Sequence, residues 1–80
     1  MVHLMAHYEL DVRRLLCPMP VIKTQQRIKT LAAGDVLTIF ATDPGTLHDV
    51  PAWSRMYGHK ILKAETVDLD VIIQLEVVAE

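Results

Sequence analysis

The chain lacks most of what would send it out of the cell or into a membrane. It has one cysteine, three glycines, and only four aromatic residues: Tyr8, Phe40, Trp53 and Tyr57. A single thiol closes no internal disulfide, so nothing points to an oxidising compartment and the cytoplasm is the default. No apolar run approaches the roughly 20 residues of a membrane span. The opening MVHLMAHYEL lacks the basic start and long apolar middle of a secretory signal. Eight Lys and Arg against ten Asp and Glu leave a net charge of −2, which provides no field for gathering a polyanion, so no direct nucleic-acid binding is expected. No low-complexity tract or internal repeat divides the 80 residues, which read as one domain. Residues 1–6 are expected to form a disordered or extended N-terminal segment. With so few aromatics, the core must rest on Leu, Ile and Val.

Those residues fall into short periodic stretches. Tyr8 to Val12 alternates apolar and polar, as a strand does. Pro18 to Ala33 reads as a helix stopped by Gly34. VLTIFAT, Val36 to Thr42, is β-branched and apolar, hence a buried strand, and DPGT after it is a turn. A second helix is expected with Asp49 as its cap, Pro51 in its first turn, Val50, Trp53 and Tyr57 on its inner stripe, and Gly58 at its end. Lys60–Thr66 is a weaker strand. Asp70–Ala79 is a strong one, with Val71, Ile73, Leu75 and Val77 on one face and Gln74 and Glu76 on the other. The order is β-α-β-α-β-β. It predicts an α+β two-layer sandwich, a four-stranded mixed sheet with both helices on one face, the first two strands parallel and the last two a hairpin.

The one cysteine stands in LLCPMPVIK, directly before Pro18 and three residues before Pro20. Proline is accommodated in the first turn of a helix, where the missing N–H has no intrahelical partner anyway. With Pro18 as the first helical residue, Cys17 is the cap, and both prolines pin its sulfur just outside the helix. A lone cysteine is commonly a small buried apolar group. As a cap, however, cysteine is inferior to Ser or Asp, so its presence there points to sulfur chemistry. Free N–H groups and the helix dipole favour a thiolate, and such sites bring cysteine from about 8.5 to below about 7.5. Arg13 and Arg14, close upstream, are expected to add to the effect. Lys23 and Arg27 lie on the order of 9 and 15 Å along the helix, too far to tune the sulfur.

A helical wheel puts Val21, Ile28, Leu31 and Ala32 in the core stripe and Lys23, Gln26, Arg27 and Thr30 toward water. Met19 and Ile22 then fall on or beside the exposed face. The bland reading is two ordinary surface hydrophobes. The functional one is a docking patch near the thiol, with Met19 and Ile22 for contact and Lys23 and Arg27 for steering.

Taken together, Leu10-Asp11, Cys17-Pro18-Met19-Pro20, Gly34-Asp35, Asp43-Pro44, Asp49-Val50-Pro51 and Gly58-His59 resemble the TusA/SirA family. The resemblance runs from about Tyr8 to Val78. It implies the same sandwich and a sulfur carrier. Cys17 would accept a sulfane sulfur from a cysteine desulfurase or rhodanese-type donor, hold it as a persulfide, and pass it to an acceptor protein of DsrE or similar type. It would do so without independent turnover. The pathways implied are tRNA thiolation, molybdenum cofactor biosynthesis and sulfur oxidation. Many family members have Gly where this chain has Arg14 and Glu where it has Met19, and some have a cysteine near Ser54. Without that second thiol, a persulfide on Cys17 must be discharged by another molecule.

Thiolate attack on a persulfide requires no metal or organic cofactor. His3 and His7 would share a face only on a helix, and no further ligands stand at zinc-type spacing, so no metal site is expected. His48 and His59 read as surface or turn residues, and Asp43 as a turn or interface residue. A monomer suffices for such a carrier. The rival readings are a non-catalytic regulatory or interaction module with a structural cysteine, and a peroxide-sensing thiol, disfavoured by the missing resolving cysteine.

Overall fold

The structure, a computed structural model, describes residues 6–78. Strand β1 (His7–Val12) leads into helix α1 (Met19–Ile28), strand β2 (Val36–Ala41), helix α2 (Thr46–Met56) and the hairpin β3 (Lys60–Val67) and β4 (Asp70–Glu76). The sheet order is β1-β2-β4-β3. β1 and β2 run parallel, with Val12 beside Ala41, and the other two pairings are antiparallel. Helix α1 lies over β1 and β2, α2 over β3 and β4, and the helices touch each other. The expected α+β two-layer sandwich is therefore the observed fold. Most of the expected N-terminal segment, residues 1–5, lies outside the described residues, as does Ala79.

Between sheet and helices, Leu37, Ile39, Ile73 and Leu75 are fully buried, joined by Val12, Val50, Val71 and Val77. Each such side chain contributes about 1.5–3 kcal/mol on leaving water. The alternation read from β4 holds, since Val71, Ile73 and Leu75 are buried while Ile72, Gln74 and Glu76 are only partly covered. The hairpin turns in two residues, Asp68 and Leu69, with φ of +55° at Asp68.

The helices depart from expectation at their ends, and the reasons are local hydrogen bonds. α1 ends at Ile28, not Ala33. The Thr30 hydroxyl donates to the Arg27 carbonyl at 2.7 Å, and the Leu31 N–H goes to Ile28 three residues back, not to Arg27. A serine or threonine that offers the backbone a local partner competes with the helix in this way. Ala32 is consequently exposed and not in the core stripe, whereas Thr24 is fully buried, its hydroxyl donating to the Pro20 carbonyl at 2.8 Å. Gly34, expected to stop the helix, takes φ of +93° but lies five residues past the C-cap Lys29, in the loop to β2 and not at the end of α1.

α2 begins at Thr46, three residues before the expected cap. Asp43 opens it: its carboxylate accepts the Gly45 N–H at 3.1 Å and its carbonyl the Thr46 N–H at 3.0 Å. Pro51 sits inside the helix and is buried. It has no N–H to offer the Leu47 carbonyl, so one bond of the ladder is missing. The helix closes as a Schellman motif. Gly58, at φ +83°, donates to Arg55, and His59 donates to Ser54 at 2.8 Å. Tyr57 thus lies past the helix and is exposed, while Trp53 is half-buried and packs on both Tyr57 and His59, centroids 5.1 and 5.9 Å apart. His59, expected at the surface or in a turn, directly follows the turn at Tyr57–Gly58 but is buried, its Nδ1 accepting the Val78 N–H at 3.2 Å.

Ser54 is fully buried with no partner for its hydroxyl among the described residues. An orphaned buried donor costs about 1–3 kcal/mol. Ser54→Ala should therefore leave stability unchanged or raise it by about 1 kcal/mol, measured by urea denaturation. A fall of that size would show that the hydroxyl has a partner.

Candidate functional site

Parallel pairing brings the C-terminal ends of β1 and β2 together, so the loops that follow them leave the sheet side by side. The first loop carries Arg13 to Pro18, the second Thr42 to Gly45. Two cross-loop bonds lock them: Arg14 N–H donates to the Thr42 hydroxyl at 2.8 Å, and Cys17 N–H donates to Asp43 Oδ2 at 2.9 Å. Asp43 thus opens α2 with one oxygen and holds the cysteine backbone with the other. Its turn role, read from the sequence, comes with a tether that only the fold reveals.

Cys17 lies one residue further out than expected. Pro18 is the N-cap, with φ of −94°, Met19 the first helical residue and Pro20 the second. The Cys17–Pro18 peptide bond is cis. Pro18 still takes part in the start of α1, its carbonyl accepting the Ile22 N–H at 3.1 Å. Sγ is exposed, and its thiol donates to Asp49 Oδ2 at 3.5 Å. Asp49, expected as a cap, is instead a residue of α2 turned toward the sulfur.

The charge around the thiol is the reverse of the sequence expectation. Bonding to the Asp49 carboxylate, partial desolvation, and the negative charges of Asp49 and Asp43 push the Cys17 thiol up from its ordinary value. The arginines do not offset this. Arg13 folds back on Asp11, with Nε to Oδ1 and Nη2 to Oδ2 both at 2.9 Å, and reaches toward Asp70 at 3.9 Å. That fork holds the Asp11 carboxyl down at about 2. Arg13 and Arg14 line an open depression of about 620 Å³ with Asp11, Thr42 and Asp70, and Cys17 is not part of its wall.

Arg14 has φ of +71°. A side chain in the left-handed region costs about 1–2 kcal/mol, and glycine escapes that cost. Arg14→Gly should raise stability by about 0.5–1 kcal/mol, after allowing for the looser unfolded chain, and Arg14→Val should lower it by at least as much. Thermal denaturation of the two variants checks this.

Of the four proposed docking residues, Met19 and Lys23 are exposed and Ile22 is half-buried. Arg27, expected to face water, is half-covered, with its guanidinium 5.1 Å from the Tyr8 ring centroid. Sequence reasoning misses Leu16, beside the cysteine and 74% exposed. Its signal is the apolar pair Leu15-Leu16, of which only Leu15 packs on the core. His7 and His48 are exposed, and His3 lies outside the described residues.

The thiol of this two-layer domain is exposed at the surface and held by loop contacts to Asp43 and Asp49. The chain belongs to the TusA family: the family model described as Sulfurtransferase TusA matches residues 8–77. It is 50% identical to YrkF of Bacillus subtilis over 56 residues, which cover 70% of this chain and 30% of that longer protein. It is 38% identical to YrkI of the same organism, over 79% of this chain and 83% of YrkI. It is 41% identical to the sulfur carrier protein TusA of Pseudomonas putida, over 70% of each. Among solved structures, a SirA-like protein from Desulfitobacterium hafniense shares the fold, with a TM-score of 0.77 over 90% of this chain and 99% of that one, at 15% identity.

Proposed function

We propose that the protein is a sulfur carrier whose Cys17 accepts a sulfane sulfur as a persulfide and hands it to an acceptor protein. The observation that carries this reading is the exposed Sγ on a loop held at both sides, by the hydrogen bond its amide N–H donates to Asp43 and the one its thiol donates to Asp49. The thiolate attacks the outer sulfur of the donor's persulfide, and the acceptor's thiolate later attacks the outer sulfur on Cys17. No second cysteine in the chain competes for the bound sulfur. Donor and acceptor are proteins, a cysteine desulfurase or rhodanese type supplying sulfur and a DsrE-type protein or similar receiving it, in a reducing compartment such as the cytoplasm.

Leu16, Met19, Ile22 and Lys23 form the docking surface beside the sulfur, with Arg27 at its edge. In the Met19→Glu, Lys23→Glu double variant, association with the donor should slow several-fold while the melting temperature holds, since charge at an interface rim acts chiefly on the encounter rate. Unchanged association kinetics would remove this patch.

The test of the function is an intact mass. Incubated with cysteine, a cysteine desulfurase and pyridoxal phosphate, the protein should gain about 32 Da, one sulfur atom, removable by dithiothreitol. No gain would overturn the carrier reading.

A further inference from the structure

We propose that Asp49 is a latch on the sulfur: its carboxylate holds the Cys17 thiol proton until a docking partner presents a cationic side chain to that carboxylate and frees Sγ to react. The inference rests on the carrier role proposed above and identifies what a competent partner must bring.

The geometry places two carboxylates at the thiol and, among the described residues, no cation in contact with them. Asp49 Oδ2 accepts from Sγ at 3.5 Å, and Asp43 Oδ2 accepts from the Cys17 amide at 2.9 Å. Both carboxylates converge on Gly45, where a methyl group would stand 3.5 Å from Asp43 Oδ1 and 3.5 Å from Asp49 Oδ2. Asp49 is fixed by its helix, its N–H bound to the Gly45 carbonyl at 2.9 Å. From the other elements, Arg13 is occupied by Asp11 and Asp70, Arg14 lines the depression with them, and Lys23 stands more than a turn along α1. The groups whose charge acts on the sulfur are Asp49 and Asp43, and both disfavour the thiolate.

A thiol held this way is a poor target for diffusing oxidants and electrophiles, which react with the thiolate. A Lys or Arg brought to Asp49 by a partner reverses the local field and takes over the carboxylate's hydrogen bonding. The thiol then releases its proton to water. Sγ attacks the outer sulfur of the donor persulfide, a new S–S bond forms as the donor's own S–S bond breaks, and the donor leaves as a thiolate that takes up a proton. A neutral sulfur atom moves, and nothing is oxidised or reduced overall.

Asp49→Asn and Asp49→Ala, each checked by thermal melting, provide the test, with two readouts on the full chain. The first is iodoacetamide alkylation of Cys17 across pH. The alkylation midpoint should move to lower pH in both variants, and the rate near neutrality should rise several-fold. The second is sulfur loading by the cysteine desulfurase. It should fall in both variants and lose much of its dependence on salt, because the contact to the partner's cation is gone. An unchanged alkylation profile would overturn the latch. Loading that rises in step with alkylation would overturn the cationic partner, and a loss in both readouts would make Asp49 a proton acceptor instead. If wild type alkylates but never gains sulfur, the carrier role fails while the alkylation comparison still decides whether Asp49 restrains the thiol.

Discussion

Cys17→Ser should abolish sulfur uptake outright while leaving the fold untouched. The substitution removes the only sulfur able to form a persulfide and keeps a side chain of similar size at an exposed site. Neither of its contacts carries much of the fold. The hydrogen bond to Asp43 is donated by the backbone N–H and survives, and a serine hydroxyl donates to the Asp49 carboxylate at least as well as a thiol does. The expected result is therefore asymmetric: no mass gain with the desulfurase, and a melting temperature close to that of wild type. A gain surviving in the serine variant would move the chemistry elsewhere. A collapse in stability would make the cysteine structural, as the rival regulatory-module reading requires.

Asp35→Ala should produce the largest loss of stability among the polar residues. Asp35 is 4% exposed and stands where three segments meet. Its carboxylate accepts the Ala32 N–H at 2.8 Å and the Ala6 N–H at 3.4 Å, while its own carbonyl accepts the Val77 N–H at 2.8 Å. It thereby ties the exit of α1 to the start of β1 and the end of β4. Alanine leaves partly buried N–H groups without their acceptor, at about 1–3 kcal/mol each. We expect a loss of about 3 kcal/mol and a fall in melting temperature of roughly 10 °C or more. Asp35→Asn should fall between, because the amide retains one acceptor oxygen and turns the other toward the backbone donors as an NH2. A loss below about 1 kcal/mol in the alanine variant would show that the junction is held by packing alone.

The fold is legible in the sequence because its signals are repetitive. β2 and β4 declare themselves by runs of Val, Ile and Leu, and burial on one face of β4 follows the alternation residue by residue. Gly58 marks the exit of α2 at positive φ, whereas Gly34, also at positive φ, stands in the loop five residues beyond the C-cap of α1. The start of α2 misleads, because a proline that the first-turn rule would place at the beginning of a helix, Pro51, sits inside this one. Asp49 then looks like the cap. Asp43 lies further upstream in a stretch that reads only as a turn, yet its carboxylate and carbonyl already begin the helix.

The candidate site is half legible for a related reason. Two prolines set Cys17 outside α1, and the structure places it there with its sulfur exposed. The electrostatics are reversed because proximity in sequence is not proximity in space. Arg13 and Arg14 are near neighbours in the chain, but Arg13 is spent on Asp11, two residues away. Asp43 and Asp49 lie 26 and 32 residues on and reach the cysteine only because β1 and β2 run parallel and end together. No periodicity shows that. The positive φ of Arg14 is equally hidden, since the residue itself is a poor choice for that backbone.

A single pulse-chase tests the carrier role most directly. Cys17 loaded with radiolabelled sulfane sulfur, freed of its donor and mixed with a DsrE-type acceptor, should lose its label to an acceptor cysteine without release of free sulfide. Label that stays on Cys17, or leaves only as sulfide, would contradict a carrier that gives on what it takes up.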